Sequence, residues 1–307
     1  METLNTAFRE FIREAMSLSK VETVITEKNV YQQGDDAILP FLDKMVEALA
    51  EPGSGVDGME HLEELLALAE SGKSCLLLLE HYSNMDLSIF SWCVRKAGGR
   101  GANIARNTVA IAGMKLNEDN PAVAALASAY SRIVIYPSRS LQDLDAEKDR
   151  DEIIRSNGIN RAAMKALNDI KVKGKLILVF PSGTRYRPWD PSTKKGVREI
   201  DSYIRSFDYM CCVAINGQIL HIQDANMMND TVSRDLVLVT AGPVLSCAEF
   251  RGKALAADPA ADRKQAAVDA IMAELERIHN KAEEKRLKQK PGDPALKRDA
   301  PADKTSG

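Results

Sequence analysis

The stretch CLLLLEHYSNMD, residues 75–86, joins a wholly apolar run to a cluster of polar side chains. The run from Cys75 to Leu79 has the length of a β-strand and no polar alternation, which is typical of a strand covered on both faces. Four similar runs follow: RIVIY at 132–136, KLILVF at 175–180, MCCVAI at 210–215 and DLVLVT at 235–240. Because helical segments separate them, we predict an α/β fold with a largely parallel central sheet flanked by helices.

The remaining segments show helical spacing of their apolar residues. Helices are predicted over residues 84–97, 121–130, 151–171 and 196–207, and a last helix follows Pro259. Further helices are predicted before the first strand. We therefore expect a small N-terminal helical domain over residues 1–72, an α/β domain over 73–282, and a disordered charged tail over 283–307.

Composition excludes several classes of protein. Charged residues make up 28% and the net charge is −3, so the basic excess of a nucleic-acid-binding protein is absent. Five cysteines without a C-x-x-C spacing predict buried reduced thiols, and the four histidines form no metal-ligand pattern. No apolar run approaches the roughly 18 residues that span a bilayer. We expect a cytoplasmic protein, soluble or peripherally membrane-associated.

His81 and Asp86 form the first candidate site. His81 follows the carboxyl end of the first strand, where active sites of α/β sheets gather. A spacing of five does not place both side chains on one helical face, so Asp86 is expected to reach back from the first turn of the helix. Its carboxylate would then fix the imidazole, and the other ring nitrogen would act as a general base. The alternative is structural, because Ser83 and Asp86 also fit a capping box.

The second candidate site is the segment from Pro181 to Pro188. Pro188 favours an extended Arg187, and in extended backbone residues two apart point the same way. Arg185 and Arg187 are thus predicted to direct two guanidinium groups at one phosphate, with Gly183 allowing close backbone approach. The alternative is two arginines that are simply solvated.

Taken together, these segments resemble the glycerolipid acyltransferase superfamily, whose members share an H-x4-D box and a later F-P-E-G-T-R box. Here the boxes are His81 to Asp86 and Phe180 to Arg185. Ser182 replaces the acidic residue of the second box. That replacement, with the R-x-R-P sequence that follows, is similar to the soluble plastid-type glycerol-3-phosphate acyltransferases.

The resemblance implies a role for each site residue. His81 would be the base and Asp86 its orienting partner, which makes residues 73–282 a catalytic acyltransferase domain. Arg185 and Arg187 would bind phosphate, and Arg139 would replace the lysine of a lysine–histidine pair that supplies a third phosphate contact. The loop residues that support the phosphate site would be Ser182, Gly183 and Thr184.

The function implied by the resemblance is transfer of a fatty acyl group to the sn-1 hydroxyl of glycerol 3-phosphate in phospholipid biosynthesis. The donor would be acyl-CoA or acyl carrier protein, with no metal or other cofactor. Acylation of lysophosphatidate at the sn-2 hydroxyl is an alternative, since the same boxes serve both reactions. A non-catalytic phosphate- or lipid-binding protein of the same fold is a third interpretation. The expected partners include a membrane surface contacted peripherally, and no nucleic-acid partner is expected.

Overall fold

The computed structural model describes residues 1–114, 116, 120–137, 141, 145, 148–224, 227–257 and 262–289. The strands in these residues are β1 (Glu2–Thr3), β2 (Tyr31–Gln32), β3 (Gly55–Asp57), β4 (Cys75–Leu79), β5 (Thr108–Gly113), β6 (Arg132–Ile135), β7 (Leu176–Val179), β8 (Tyr209–Asn216), β9 (Leu220–His221), β10 (Thr231–Val232), β11 (Leu238–Ala241) and β12 (Leu245–Ser246). The α-helices are α1 (Leu4–Ala7), α2 (Arg9–Leu18), α3 (Leu39–Leu49), α4 (Met59–Glu70), α5 (Asp86–Lys96), α6 (Gly101–Asn107), α7 (Pro121–Ala127), α8 (Arg150–Ile170), α9 (Ile200–Ser206), α10 (Cys247–Ala257) and α11 (Arg263–Gln289).

The main sheet has the strand order β2-β6-β5-β7-β4-β8-β11-β3, and β12 pairs with one end of β8. Every neighbouring pair from β6 to β8 is parallel. Antiparallel pairs join β2 to β6 and β8 to β11, while the edge strand β3 is parallel to β11. A small separate sheet has the order β1-β10-β9. The predicted fold, a largely parallel sheet flanked by helices, is confirmed.

The five apolar residues of β4 divide between two cores because successive side chains of a strand point to opposite faces. Leu77 and Leu79 belong to a first core that includes α3, α4 and α5. Leu76 and Leu78 belong to a second core that includes α8, α9 and α11. All five residues of the strand are buried. Covering both faces explains why the run lacks polar alternation, and each buried leucine contributes about 1.5–3 kcal/mol of transfer free energy.

The adjacent strands β4 and β7 send their following helices to opposite faces of the sheet. Helix α5, after β4, contributes Ile89 to the first core, whereas α9, after β7, contributes Ile200 to the second core. A crevice opens at the carboxyl ends of two parallel strands where the connections diverge in this way. Both sequence segments that we selected as candidate sites begin at this point.

Strand β5 and helix α6 were missed in the sequence, although β5 lies between β6 and β7 in the sheet. Its residues include Ala110, Ala112 and Gly113, which have low intrinsic preference for strands. The tertiary setting overrides that preference, since β5 is hydrogen-bonded to a parallel neighbour on each side.

The predicted N-terminal helices are present as α2, α3 and α4, but they share the first core with the sheet. The same segment also supplies strands to the sheet: Tyr31 of β2 pairs with Ile133, and Val56 of β3 pairs with Val239. The boundary at residue 72 stays a prediction. Residues 1–72 share the first core with the sheet and pair with two of its strands.

The prediction of a disordered tail from residue 283 was wrong for residues 283–289, which continue α11 to Gln289. Arg286 in this last part is only 4% exposed. Its guanidinium donates to Asp235 Oδ2 at 3.0 Å and to Glu283 Oε1 at 2.6 Å. The charged composition of this segment gave no sign that Arg286 forms buried ion pairs, which hold the end of α11 in place. The other tail residues, 290–307, lie outside the described residues.

Replacing Arg286 with alanine is expected to lower the free energy of unfolding by about 3 kcal/mol, because two carboxylates would lose their buried partner. Chemical denaturation of the full chain measures this difference. Lys288→Ala, at an exposed position on the same helix, is the matched control and is expected to change stability by less than about 0.5 kcal/mol. Equal effects of the two substitutions would contradict the structural role given to Arg286.

Candidate active site

The structure brings His81 and Asp86 into direct contact. His81 follows β4 in the turn that leads to α5, and Asp86 is the first residue of that helix. The imidazole Nδ1 lies 2.9 Å from Asp86 Oδ2, and the two side chains are 17% and 2% exposed. Since the carboxylate accepts the Nδ1 proton, Nε2 of a neutral His81 is an acceptor. Nε2 has no hydrogen-bond partner among the described residues.

Asp86 also caps the turn, so its structural role is compatible with its contact to His81. Its Oδ2 accepts from the backbone N–H of Tyr82 at 2.6 Å, and Oδ1 accepts from the Ser83 hydroxyl at 2.8 Å. The Ser83 N–H approaches both oxygens, at 3.0 and 2.9 Å. The carboxylate therefore fixes the backbone conformation of the turn and the orientation of the imidazole at the same time.

The second candidate segment packs directly against the first. The ring of Phe180 stacks on the imidazole of His81, with centroids 4.0 Å apart and an interplanar angle of 20°. The backbone N–H of Tyr186 donates to the carbonyl oxygen of His81 at 2.8 Å. These contacts follow from the adjacency of β4 and β7, and they confirm that both segments lie at one edge of the sheet.

The two predicted phosphate ligands in this segment have different environments. Arg185 donates to Asp230 Oδ2 at 2.9 Å, and this carboxylate is fully buried. Burial raises the pKa of Asp230, although the backbone N–H of Gln223 and the Arg185 guanidinium act in the opposite direction. Arg187 is half-buried and forms no ion pair with a described residue. Arg185 thus already has a buried carboxylate partner, and the prediction that both guanidinium groups bind one phosphate stays a prediction.

The remaining predicted residues shape the loop. Gly183 has φ +63, in the left-handed region that favours glycine, and its N–H donates to the Phe180 carbonyl at 2.9 Å. The Ser182 hydroxyl donates to the Thr184 carbonyl at 2.7 Å, which closes the turn. Arg139, the predicted third phosphate contact, lies outside the described residues.

A large cavity opens beside the histidine. Its volume is about 870 Å³, and His81, Thr184 and Arg187 all line it. The apolar part of the wall comes from α3, α5, α7 and β5, with Leu42, Met45, Leu87, Ala112, Val123 and Leu126. An apolar cavity with a few convergent polar groups is the usual form of a ligand site.

Residues 55–212, slightly more than half of the chain, match the family described as Acyltransferase. The chain belongs to the acyltransferase family. Among solved structures, the acyltransferase is similar to the 1-acyl-sn-glycerophosphate (LPA) acyltransferase PlsC from Thermotoga maritima, with a TM-score of 0.42 and 14% sequence identity. That likeness covers 88% of each chain. None of the curated proteins matches the sequence.

A buried polar network behind His81 was not found in the sequence of the acyltransferase. Glu80 is 8% exposed, and its Oε2 lies 2.9 Å from His279 Nδ1 of α11. The same carboxylate accepts from the Ile215 N–H at 2.9 Å and from the Tyr82 hydroxyl at 3.2 Å. The sequence offered one signal, a carboxylate at the end of an apolar strand, but its partner is almost two hundred residues away.

The described part of the acyltransferase contains all five of its cysteines. All five cysteines are buried and free of disulfides. Burial raises the pKa of Cys75 and of Cys211 to about 12, so neither supplies a thiolate nucleophile at neutral pH. In the same part of the chain, no group of three or more His, Cys, Asp or Glu side chains is placed to hold a metal ion. None of its helices combines the length and apolar character that crossing a bilayer requires.

The His279–Glu80 pair is expected to make stability depend on pH. Burial alone lowers the pKa of His279, but the charge and hydrogen bond of Glu80 outweigh it and raise the pKa above 6.5. The stabilisation is therefore fully present below about pH 6.5 and is lost as pH rises through the raised pKa. His279→Gln keeps a neutral donor and removes the titration. We expect this variant to be about 1 kcal/mol less stable than wild type at pH 6, with the difference closing towards pH 9.

Thermal unfolding of both proteins from pH 6 to pH 9 measures this difference. His221→Gln is the matched control, since His221 pairs with the Ser233 hydroxyl at 2.7 Å. A difference between wild type and His279→Gln that does not change with pH would contradict the assignment.

Proposed function

We propose that the protein transfers a fatty acyl group from an acyl thioester to the sn-1 hydroxyl of glycerol 3-phosphate. The observation that carries the proposal is the His81–Asp86 pair at the wall of an apolar cavity, with Arg187 lining the same cavity. The pair supplies a base for a hydroxyl group, the cavity suits a hydrocarbon chain, and the guanidinium suits a phosphate.

In the proposed reaction, Nε2 of His81 accepts the proton of the acceptor hydroxyl as its oxygen adds to the thioester carbonyl. The tetrahedral intermediate then collapses, the C–S bond breaks, and the thiolate leaves. The proton held on Nε2 passes to the sulfur, which returns His81 to its neutral form. The acceptor oxygen attacks the carbonyl carbon directly, so no acyl-enzyme and no protein nucleophile are required.

Asp86 has two parts in this mechanism. Its bond to Nδ1 fixes the tautomer that leaves Nε2 unprotonated, and its negative charge stabilises the imidazolium that forms during attack. The N–H groups of Tyr82 and Ser83 already donate to this carboxylate. They are therefore not available to stabilise the oxyanion, and donors for it are to be sought elsewhere on the cavity wall.

The phosphate site in this proposal centres on Arg187. Its guanidinium has no carboxylate partner among the described residues and lines the cavity that His81 also lines. Arg185 instead anchors Asp230, whose backbone carbonyl accepts from Leu4 N–H at 2.8 Å, and so supports the loop from behind. Arg139, by the family resemblance, is proposed as the second cation at the phosphate.

Acylation of lysophosphatidate at the sn-2 hydroxyl is the second candidate function. One observation favours it: the cavity wall includes residues of both cores, such as Leu126 from the first and Tyr203 from the second. An acceptor that carries its own hydrocarbon chain would find apolar lining beyond the space for the donor chain.

The donor is proposed to be acyl-CoA or acyl carrier protein. Residues 285–298 are rich in lysine and arginine, a composition that attracts an acidic carrier protein. In the described part of that segment, Lys285 pairs with Asp57 at 2.6 Å and Arg286 is buried, so these two cations do not form a free basic patch.

Replacing His81 with alanine is expected to reduce kcat by about 10²- to 10⁴-fold, because the general base is lost. The measurement is transfer from acyl-CoA and from acyl carrier protein to labelled glycerol 3-phosphate and, separately, to lysophosphatidate. His221→Ala is the control, since His221 does not line the cavity. A folded His81→Ala protein with undiminished activity would refute the proposed base. The preferred acceptor of the wild type decides between the two candidate reactions.

The two arginines of the second segment are expected to respond differently to substitution. Arg187→Ala should raise KM for the phosphorylated acceptor by about 10-fold or more while changing stability by less than about 0.5 kcal/mol. Arg185→Ala should lower the free energy of unfolding by about 3 kcal/mol, because the buried Asp230 loses its partner. Arg277→Ala, at an exposed helix position, serves as the control for both. A change in KM that follows Arg185 and spares Arg187 would overturn this assignment.

A further inference from the structure

Arg132, the first residue of β6, is a buried arginine in the wall of the cavity. Its side chain lies on the first face of the sheet, since it is in register with Ala110, a residue of the first core. The residue is only 2% exposed, and it lines the same cavity as His81. Arginine is almost never buried to this extent unless a carboxylate or another acceptor pairs with it.

The guanidinium of Arg132 is only partly satisfied. Nη1 donates to the carbonyl oxygens of Ala127 and Tyr130, at 2.9 and 3.3 Å. Nε and Nη2 are buried and have no hydrogen-bond partner among the described residues. Burial lowers the pKa of Arg132 to about 10, which still leaves the group cationic at neutral pH.

The acid that acts on the neighbouring Tyr130 is already paired with another arginine. The charge of Asp43 affects Tyr130, which lies beside Arg132, but this carboxylate is bound by Arg95 with an Nη1–Oδ2 distance of 2.7 Å. No described carboxylate forms an ion pair with Arg132. Tyr130 also lines the cavity; its buried hydroxyl lies near the hydroxyls of Ser88 and Ser91, without a hydrogen bond of good geometry among the described residues. Two donors of the Arg132 guanidinium, Nε and Nη2, are thus buried at the cavity wall without an acceptor among the described residues.

The distance from the histidine to this polar end follows from the strand register. Arg132 pairs with Ala110, Ala110 with Leu178, and Leu178 with Leu77, so these four residues lie level across β6, β5, β7 and β4. His81 follows Leu77 by four residues. With about 3.3 Å per residue along a strand and about 4.8 Å between strands, His81 and Arg132 are on the order of 20 Å apart.

We propose that Arg132 forms a carboxylate-binding site at the inner end of the cavity, and that the ligand is an acyl donor whose chain ends in an ω-carboxylate. The inference rests on the proposed function for the position of the thioester, but the site itself rests on Arg132. An extended chain advances about 1.25 Å per carbon, because bonds of about 1.5 Å zigzag, so about 16 carbons span the distance. A small free carboxylate could make the same hydrogen bonds to Arg132 while a methyl-terminated acyl chain fills the rest of the cavity.

The test is a binding measurement on the full chain by calorimetry, without acceptor, so that no turnover is required. The probes are hexadecanoyl-CoA and the matched CoA thioester with an ω-carboxyl group, each titrated with and without acetate. Two substitutions are compared with wild type: Arg132→Met, which keeps the length of the side chain and removes its donors, and Arg132→Lys, which keeps the charge. Arg277→Met removes an exposed arginine and serves as the control.

In wild type and Arg277→Met, the ω-carboxyl thioester is expected to bind about 10- to 100-fold more tightly than hexadecanoyl-CoA. Arg132→Met should abolish or reverse that preference, and Arg132→Lys should retain part of it if the first variant does not fold. Tighter binding of hexadecanoyl-CoA when acetate is added, lost in Arg132→Met, would assign the same site to a free carboxylate.

Equal binding of the two thioesters with no effect of acetate, or a preference for the methyl-terminated chain that Arg132→Met leaves unchanged, would overturn the proposal. If wild type shows the ω-carboxyl preference in binding but no acyl transfer in the separate activity assay, the proposed function is refuted and this site stands. The reverse outcome, transfer with no such preference, would refute the site alone.

Discussion

The carboxylate of Asp86 is the constraint on which the candidate site depends. It is nearly fully buried and accepts from the His81 imidazole, from two backbone N–H groups and from the Ser83 hydroxyl. A buried carboxylate is tolerated only when such donors surround it. The turn is therefore folded around the charge, and the same bonds that remove the desolvation penalty also place the imidazole. Structure and chemistry are not separable at this residue.

The sheet determines what lies opposite that turn. Because β4 and β7 are adjacent and parallel, Phe180 reaches the imidazole of His81 and the Tyr186 N–H reaches its carbonyl. Helix α11 closes the turn from the other side through Glu80 and His279. The imidazole is thus fixed by a carboxylate and an aromatic ring, and the His81 backbone by a neighbouring loop. This rigidity suits a general base, whose rate contribution depends on holding one geometry.

The sequence was sufficient for the parts of the molecule that follow from periodicity and local spacing. The apolar run 75–79 and the spacing of His81 and Asp86 predicted the strand, the turn and the contact between the two side chains. Strand β5 escaped prediction because alanine and glycine carry little strand signal, and its place is set by neighbours on both sides. The pairings of Arg185 with Asp230 and of Glu80 with His279 join residues distant in sequence. No local pattern contains such pairs, so the sequence did not show that Arg185 has a buried carboxylate partner.

Four arginines of the protein differ in what surrounds their guanidinium groups. Arg185 and Arg286 each face carboxylates with little or no exposure, so their charges are already balanced and they act as structural ties. Arg187 faces the cavity without a described ion pair but retains access to water, so leaving it unpaired costs little. Arg132 has no carboxylate partner among the described residues and is almost fully shielded from solvent. A buried cation in that condition destabilises the empty protein, and a ligand that brings the missing acceptor recovers the difference as binding free energy. Among these four arginines, the strongest physical argument for a ligand therefore comes from Arg132, the one that no sequence motif identified.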